Sequence, residues 1–88
     1  MIQLPYDDEA ERALLGALLI NPEAMRGLNL TAEDVYIERN RVVFEAMAAL
    51  SARHANVDYL TVSDALKTSG KLKEIGGGAF LTELLSDT

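Results

Sequence analysis

The sequence predicts an all-α fold, a compact orthogonal bundle of about five to six short helices in a single domain. Nearly half of its 88 residues are apolar (49%), which suffices for one hydrophobic core and not for two. Several segments repeat apolar residues at the three-to-four spacing of a helix face. Neither a long alternating strand pattern nor an Asn-Gly hairpin dipeptide occurs.

The first helix is predicted over residues 8–20. Apolar residues fall at positions 10, 13, 14, 17 and 18, and Leu15 and Leu19 widen the stripe, so the helix should be largely buried. Asp8 is predicted to cap its first turn, with Glu11 completing a capping box. The acidic residues 7, 8, 9 and 11 are therefore explained by capping and the helix dipole, which we prefer to a metal site.

Two short turns are predicted next. Asn21 and Pro22 have the cap and first-position residue types of a helix, which should run to Met25 and end near Gly27. The stretch Thr31–Asp34 repeats the start signal and begins a turn or two that lead toward Tyr36.

The second long helix is predicted over residues 38–52, with Val43, Met47 and Leu50 on one face. Arg39 and Arg41 stand at its start, where positive charge opposes the helix dipole. They are either a solvated pair or residues with a function.

A third helix is predicted to begin at a Thr61 cap, with Asp64 three residues later, and to stop at Gly70. An extended lead-in precedes it, and a short turn over residues 71–75 follows. Gly76, Gly77 and Gly78 then stand ahead of a final helix whose apolar face contains Phe80, Leu81, Leu84 and Leu85.

The glycine triplet resembles a phosphate-binding loop, but both nucleotide fingerprints fail. Gly70-Lys71 is followed by Leu72, where a P-loop needs Ser or Thr, and Leu81 stands where a dinucleotide fingerprint needs its third glycine. We therefore expect one or more of these glycines to adopt positive φ and turn the chain. The residues predicted to form the core are Leu14, Leu18, Phe44, Met47, Leu66, Phe80, Leu81 and Leu84.

Composition argues against several function classes. The chain has no cysteine and one histidine, His54, so it lacks the ligands of a zinc site and the setting of a catalytic triad. Its net charge of −6 disfavours direct nucleic-acid binding and favours protein partners. Because it shows neither a membrane-spanning apolar run nor a signal peptide, we expect a cytoplasmic protein.

The order of its motifs resembles, over about eighty residues, the N-terminal domain of the bacterial replicative DNA helicases of the hexameric DnaB family. No single motif is specific, but the ordered set is. Its members are Leu4-Pro5, Ala10-Glu11, Leu15-Gly16, Asp34 with Tyr36, Arg41 with Phe44, Val57-Asp58 with Thr61, and Gly76-Gly77 with Phe80-Leu81.

The resemblance implies a non-catalytic role. In that family the N-terminal domains form a collar, paired around the ring as a trimer of dimers, which recruits primase and in some members a helicase loader. ATP and magnesium belong to a RecA-like motor that follows a helical hairpin and a linker. The resemblance thus implies that residues 1–88 are the head of the collar domain, a piece cut from a longer protein, with no cofactor and no catalytic residue of its own.

Six residues are the candidates for a partner or oligomer surface: Tyr36, Arg39, Lys73, Glu74, Gly78 and Glu83. A free-standing regulator that binds DNA through a helix-turn-helix, with the 61–67 helix as reader, is the alternative. Asp64 on that helix would repel phosphates, which weighs against it.

Overall fold

The computed structural model describes residues 7–86, which form four α-helices and three short 3₁₀ helices and, within that range, no strand. In chain order they are α1 (Asp8–Ile20), 3₁₀ helices Pro22–Gly27 and Ala32–Asp34, α2 (Glu38–Ala52), α3 (Tyr59–Thr68), the 3₁₀ helix Lys73–Ile75, and α4 (Gly78–Ser86). The predicted all-α class is confirmed, as are the bounds of α1 and α2. None of the described helices has the length and apolarity needed to cross a membrane.

One core fills the space between the four α-helices. α1 packs on α2 and α4, and α2 packs on α3. Of the predicted core residues, Leu14 is only half-buried at the edge, and the other seven are buried. The connections add Val35, Val57 and Ile75 to this core.

The capping of α1 differs from the prediction. Asp7 is the N-cap, and its side chain accepts a hydrogen bond from the backbone N–H of Glu9 at 2.9 Å. Asp8 is the first helical residue, and Glu11 makes no capping box with it. Glu11 is fully buried instead, because it lies one turn before Leu15 on the face that enters the core.

The start of α3 is earlier than predicted. Asp58 is the N-cap and Thr61 is the third helical residue, and each side chain accepts a hydrogen bond from the other's backbone N–H at 2.9 Å. The sequence contains two overlapping capping patterns, Asp58 with Thr61 and Thr61 with Asp64. The first is used, because it brings Tyr59 into the helix and against the core.

Left-handed residues end several segments, as predicted for the glycines. Gly70 (φ 76°) ends α3, and Gly76 (φ 97°) and Gly77 (φ 74°) separate the last 3₁₀ helix from α4. His54 (φ 59°) takes the same role at the end of α2, where the backbone N–H of Ala55 donates to the carbonyl of Leu50 at 2.9 Å. These turns aim α3 and α4 back onto the core.

Candidate protein-binding surface

The junction of α1 and α2 depends on a buried carboxylate. Glu11 accepts hydrogen bonds from the backbone N–H groups of Tyr36 at 2.7 Å and Ile37 at 3.1 Å. Ile37 is the N-cap of α2 and has no side-chain acceptor of its own. A residue from α1 therefore caps the N-terminus of α2, where a negative charge is favoured by the helix dipole.

Asn40 completes this junction. It is fully buried in the first turn of α2, and its side-chain N–H₂ donates to Glu11 at 3.1 Å and to Asp8 at 2.8 Å. Sequence reasoning missed both Glu11 and Asn40 as structural residues. The available signals were the position of Glu11 on the apolar stripe of α1 and the lack of a capping residue before α2.

Arginine side chains cover Phe80 of α4, which is itself buried. The guanidinium carbon of Arg39 lies 4.3 Å from the centroid of the Phe80 ring, and that of Arg12 lies 5.7 Å from it. Arg12 also contacts Glu83 at 3.2 Å, which ties α1 to α4. Arg39 and Glu83, two of the predicted surface residues, therefore lie around one aromatic ring.

Arg39 and Arg41 have different roles at the start of α2. Arg41 donates to the carbonyl oxygens of Val35 and Tyr36, both at 2.8 Å, and so fixes the chain that enters the helix. Arg39 remains exposed at the edge of the helix, with its head stacked on Phe80. Of the two arginines, Arg39 is the exposed one, and its contact with the Phe80 ring orients its guanidinium group.

Tyr36 lies beside this surface. Its backbone N–H donates to Glu11 and its carbonyl accepts from Arg41, while the residue as a whole is 38% exposed. A half-exposed tyrosine on a fixed backbone is a residue type that protein interfaces favour. Tyr36 thus lies where α1 meets α2, and Arg39 and Glu83 lie around Phe80 where α4 joins these helices.

The other three predicted surface residues lie from the last 3₁₀ helix to the first residue of α4. Lys73 and Glu74 are exposed on the 3₁₀ helix Lys73–Ile75, which packs against α2. Gly78 is half-buried, and a Cβ there would come within 2.6 Å of the Tyr59 hydroxyl. Gly78 therefore allows close packing of α3 and α4.

The described residues contain no group of three or more His, Asp or Glu side chains placed to hold a metal ion. The surface itself combines a partly exposed tyrosine, an exposed arginine and the Arg12–Glu83 ion pair.

Comparison with known proteins gives a consistent result. A family model described as the DnaB-like helicase N-terminal domain matches residues 3–88. Curated relatives include the replicative DNA helicase DnaB of Rhodothermus marinus, 42% identical over 82 residues, and that of Geobacillus stearothermophilus, 39% identical over 82 residues. Each alignment covers 91% of this chain, and the chain spans 9% and 18% of the respective relatives.

The fold is similar to that of a solved structure. The N-terminal domain of DnaB helicase from Mycobacterium tuberculosis superposes with a TM-score of 0.90 at 32% sequence identity, over 98% of this chain and 61% of that one. The arrangement of helices described above is therefore that of the N-terminal domain of a replicative helicase.

Proposed function

The chain belongs to the family of DnaB-like helicase N-terminal domains, and from this membership we propose that it is the non-catalytic collar domain of a hexameric replicative DNA helicase in the cytoplasm. In this role it supports assembly of the ring and docks primase or a helicase loader. The observation that carries the proposal is the match of both sequence and fold over nearly the whole chain.

The chemistry of the domain is consistent with a docking role. The proposal, from the family resemblance, assigns ATP and magnesium to a motor outside these residues, whose own sequence has no P-loop. A net charge of −6 repels a phosphate backbone and attracts basic protein surfaces, so contact with DNA is assigned to other parts of the helicase.

The proposed partner or oligomer surface consists of Tyr36, Arg39 and Glu83 around the α1–α2–α4 junction, together with Lys73 and Glu74 before α4 and Gly78 at its first position. The junction is rigid, because Glu11, Arg41 and Phe80 hold its backbone and its arginine in place. A preorganised surface loses less entropy on binding.

Light scattering tests the assignment. We would measure the mass of this chain, and of a longer version that continues through the predicted helical hairpin, each with and without the helicase-binding domain of the cognate primase. The proposal expects the longer version to pair and to take up primase. If neither version pairs nor binds, the collar role is wrong, and DNA binding should be tested by a gel shift at low salt.

The surface can be tested by a triple alanine variant, Lys73→Ala/Glu74→Ala/Glu83→Ala. All three side chains are exposed, so the melting temperature should change little while the affinity for primase or the loader falls about tenfold or more. The matched control is Glu23→Ala/Arg26→Ala/Glu33→Ala, which removes the same charges from exposed positions elsewhere. Equal affinities of the two triple variants would remove this patch from the proposed surface.

A further inference from the structure

An open groove of about 720 Å³ lies between α2 and α3. Half of its fourteen lining residues are alanine, valine or leucine, among them Val42, Ala46, Ala49, Leu50, Ala65 and Leu66. Rows of small side chains on two neighbouring helices leave a furrow into which the side-chain ridge of a third helix can pack. The groove residues of α2 run from Val42 to Ala49 and on to Arg53 just beyond the helix, a length of about three helical turns.

Four charged residues lie along this groove. Glu45 and Arg53 belong to the α2 side, and Asp64 and Lys71 belong to the α3 side. All four are exposed, and within residues 7–86 none of them forms an ion pair. Their charges are therefore available to a molecule that enters the groove.

The order of these charges follows from the direction of the two helices. The short connection 53–58 brings the start of α3 close to the end of α2, and α3 runs from there to Thr68. Arg53, at the end of α2, and Lys71, after the end of α3, therefore lie at opposite ends of the groove. Glu45 and Asp64 lie between them, one on each wall.

We propose that this groove binds one amphipathic helix of a partner protein, a helix that carries an apolar stripe, basic residues near its middle and acidic residues toward its ends. The apolar stripe packs on the alanines, as in other helix-in-groove complexes. The basic residues meet Glu45 and Asp64, and the acidic residues meet Arg53 and Lys71. None of the six residues of the proposed partner or oligomer surface lines this groove. The inference therefore stands whether or not the collar role is correct.

Two synthetic helical peptides of about 14 residues would test the charge order. Both carry the same leucine stripe. The first has lysines in the middle and glutamates at the ends, and the second has these charges exchanged. In ¹⁵N NMR titrations of the chain, we expect the first peptide to shift the amide signals of the groove residues and to bind about tenfold more tightly than the second.

Two variants and a control complete the test. Ala49→Arg fills the groove from an exposed position and should abolish peptide binding without loss of fold. Glu45→Lys/Asp64→Lys should reverse the preference between the peptides. Lys67→Glu, on the part of α3 outside the groove lining, should leave binding unchanged.

Three results would overturn the inference. The first is equal binding of both peptides, and the second is no movement of the groove signals up to about 1 mM peptide. The third is a concentration-dependent shift of the groove signals without any peptide, which would assign the groove to a second copy of the chain.

Discussion

At the residue scale, Glu11 is the side chain on which the joining of α1 to α2 depends. It is fully buried and accepts from three donors, the backbone N–H groups of Tyr36 and Ile37 and the side chain of Asn40. Glu11→Ala leaves the two backbone N–H groups without an acceptor and Asn40 with only its bond to Asp8, so we expect the free energy of unfolding to fall by roughly 2–4 kcal/mol. Urea denaturation followed by circular dichroism measures it.

Glu9→Ala is the control for this prediction. Glu9 is an exposed acid in the same first turn of α1, so its loss should change stability by no more than about 0.5 kcal/mol. If Glu11→Ala and Glu9→Ala were equally stable, Glu11 would act only as a first-turn acid, and its role as the cap of α2 would be wrong.

His54 is the one described residue other than glycine with positive φ. A side chain in this conformation destabilises the fold by about 1–2 kcal/mol, and substitution by glycine removes that strain. Glycine also raises the conformational entropy of the unfolded chain, which offsets part of the stabilisation. We therefore expect His54→Gly to stabilise the domain by about 0.5–1 kcal/mol, seen as a higher melting temperature.

The comparison for His54 is Ala52→Gly. Ala52 is exposed at the last position of α2. Glycine there raises the entropy of the unfolded chain and relieves no backbone strain, so Ala52→Gly should lower the melting temperature. A fall in melting temperature for His54→Gly as large as that for Ala52→Gly would show that the left-handed turn carries no strain.

At the element scale, the glycines before α4 decide where that helix packs. Gly77 has φ 74°, and a Cβ there would meet no atom within 4 Å. Gly77→Ala therefore isolates the backbone penalty, and we expect a loss of about 1–2 kcal/mol in urea denaturation.

Gly27→Ala is the matched change for Gly77, since its Cβ also has open space and its φ is not in the left-handed region. It should be neutral or stabilising by up to about 1 kcal/mol. Equal losses at the two positions would mean that the penalty comes from something other than positive φ.

Local patterns predicted the elements and not the contacts between them. The bounds of α1 and α2 follow from apolar spacing, which depends only on neighbouring residues. The predicted Thr61 cap of α3 is wrong, because the two overlapping patterns are equally good locally and the packing of Tyr59 favours the Asp58 cap. The hydrogen bond from Tyr36 to Glu11 joins residues 25 positions apart. Helical periodicity predicts no contact between residues so far apart in the sequence.

For the candidate surface too, the sequence predicted residues but not the contacts between helices that bring them together. Sequence and resemblance selected Arg39 and Glu83, and the structure brings both to Phe80 through contacts between helices. Neither the stacking of Arg39 nor the Arg12–Glu83 pair has a local signature. Gly78 was selected as a surface residue, and only the position of the Tyr59 hydroxyl shows why a side chain is disfavoured there.

At the scale of the whole molecule, one core serves all four α-helices, so the domain should unfold as a unit. Leu81 of α4 is fully buried in that core, while Leu85, one turn later, is half-buried. A domain of this size has a stability of only about 4–13 kcal/mol. Leu81→Ala should cost roughly 2–5 kcal/mol, and Leu85→Ala about 1 kcal/mol.

The form of the transition tests whether α4 belongs to the same cooperative unit. Circular dichroism reports all helices, and tyrosine fluorescence reports in part on Tyr59, which packs where α4 begins. If the core is shared, the urea transitions from both signals should coincide in the parent chain and move together in Leu81→Ala. A tyrosine transition that precedes loss of the helical signal would instead mean that α4 leaves first. The contacts of α1, α2 and α3 would then hold the fold without it, contrary to the single core described above.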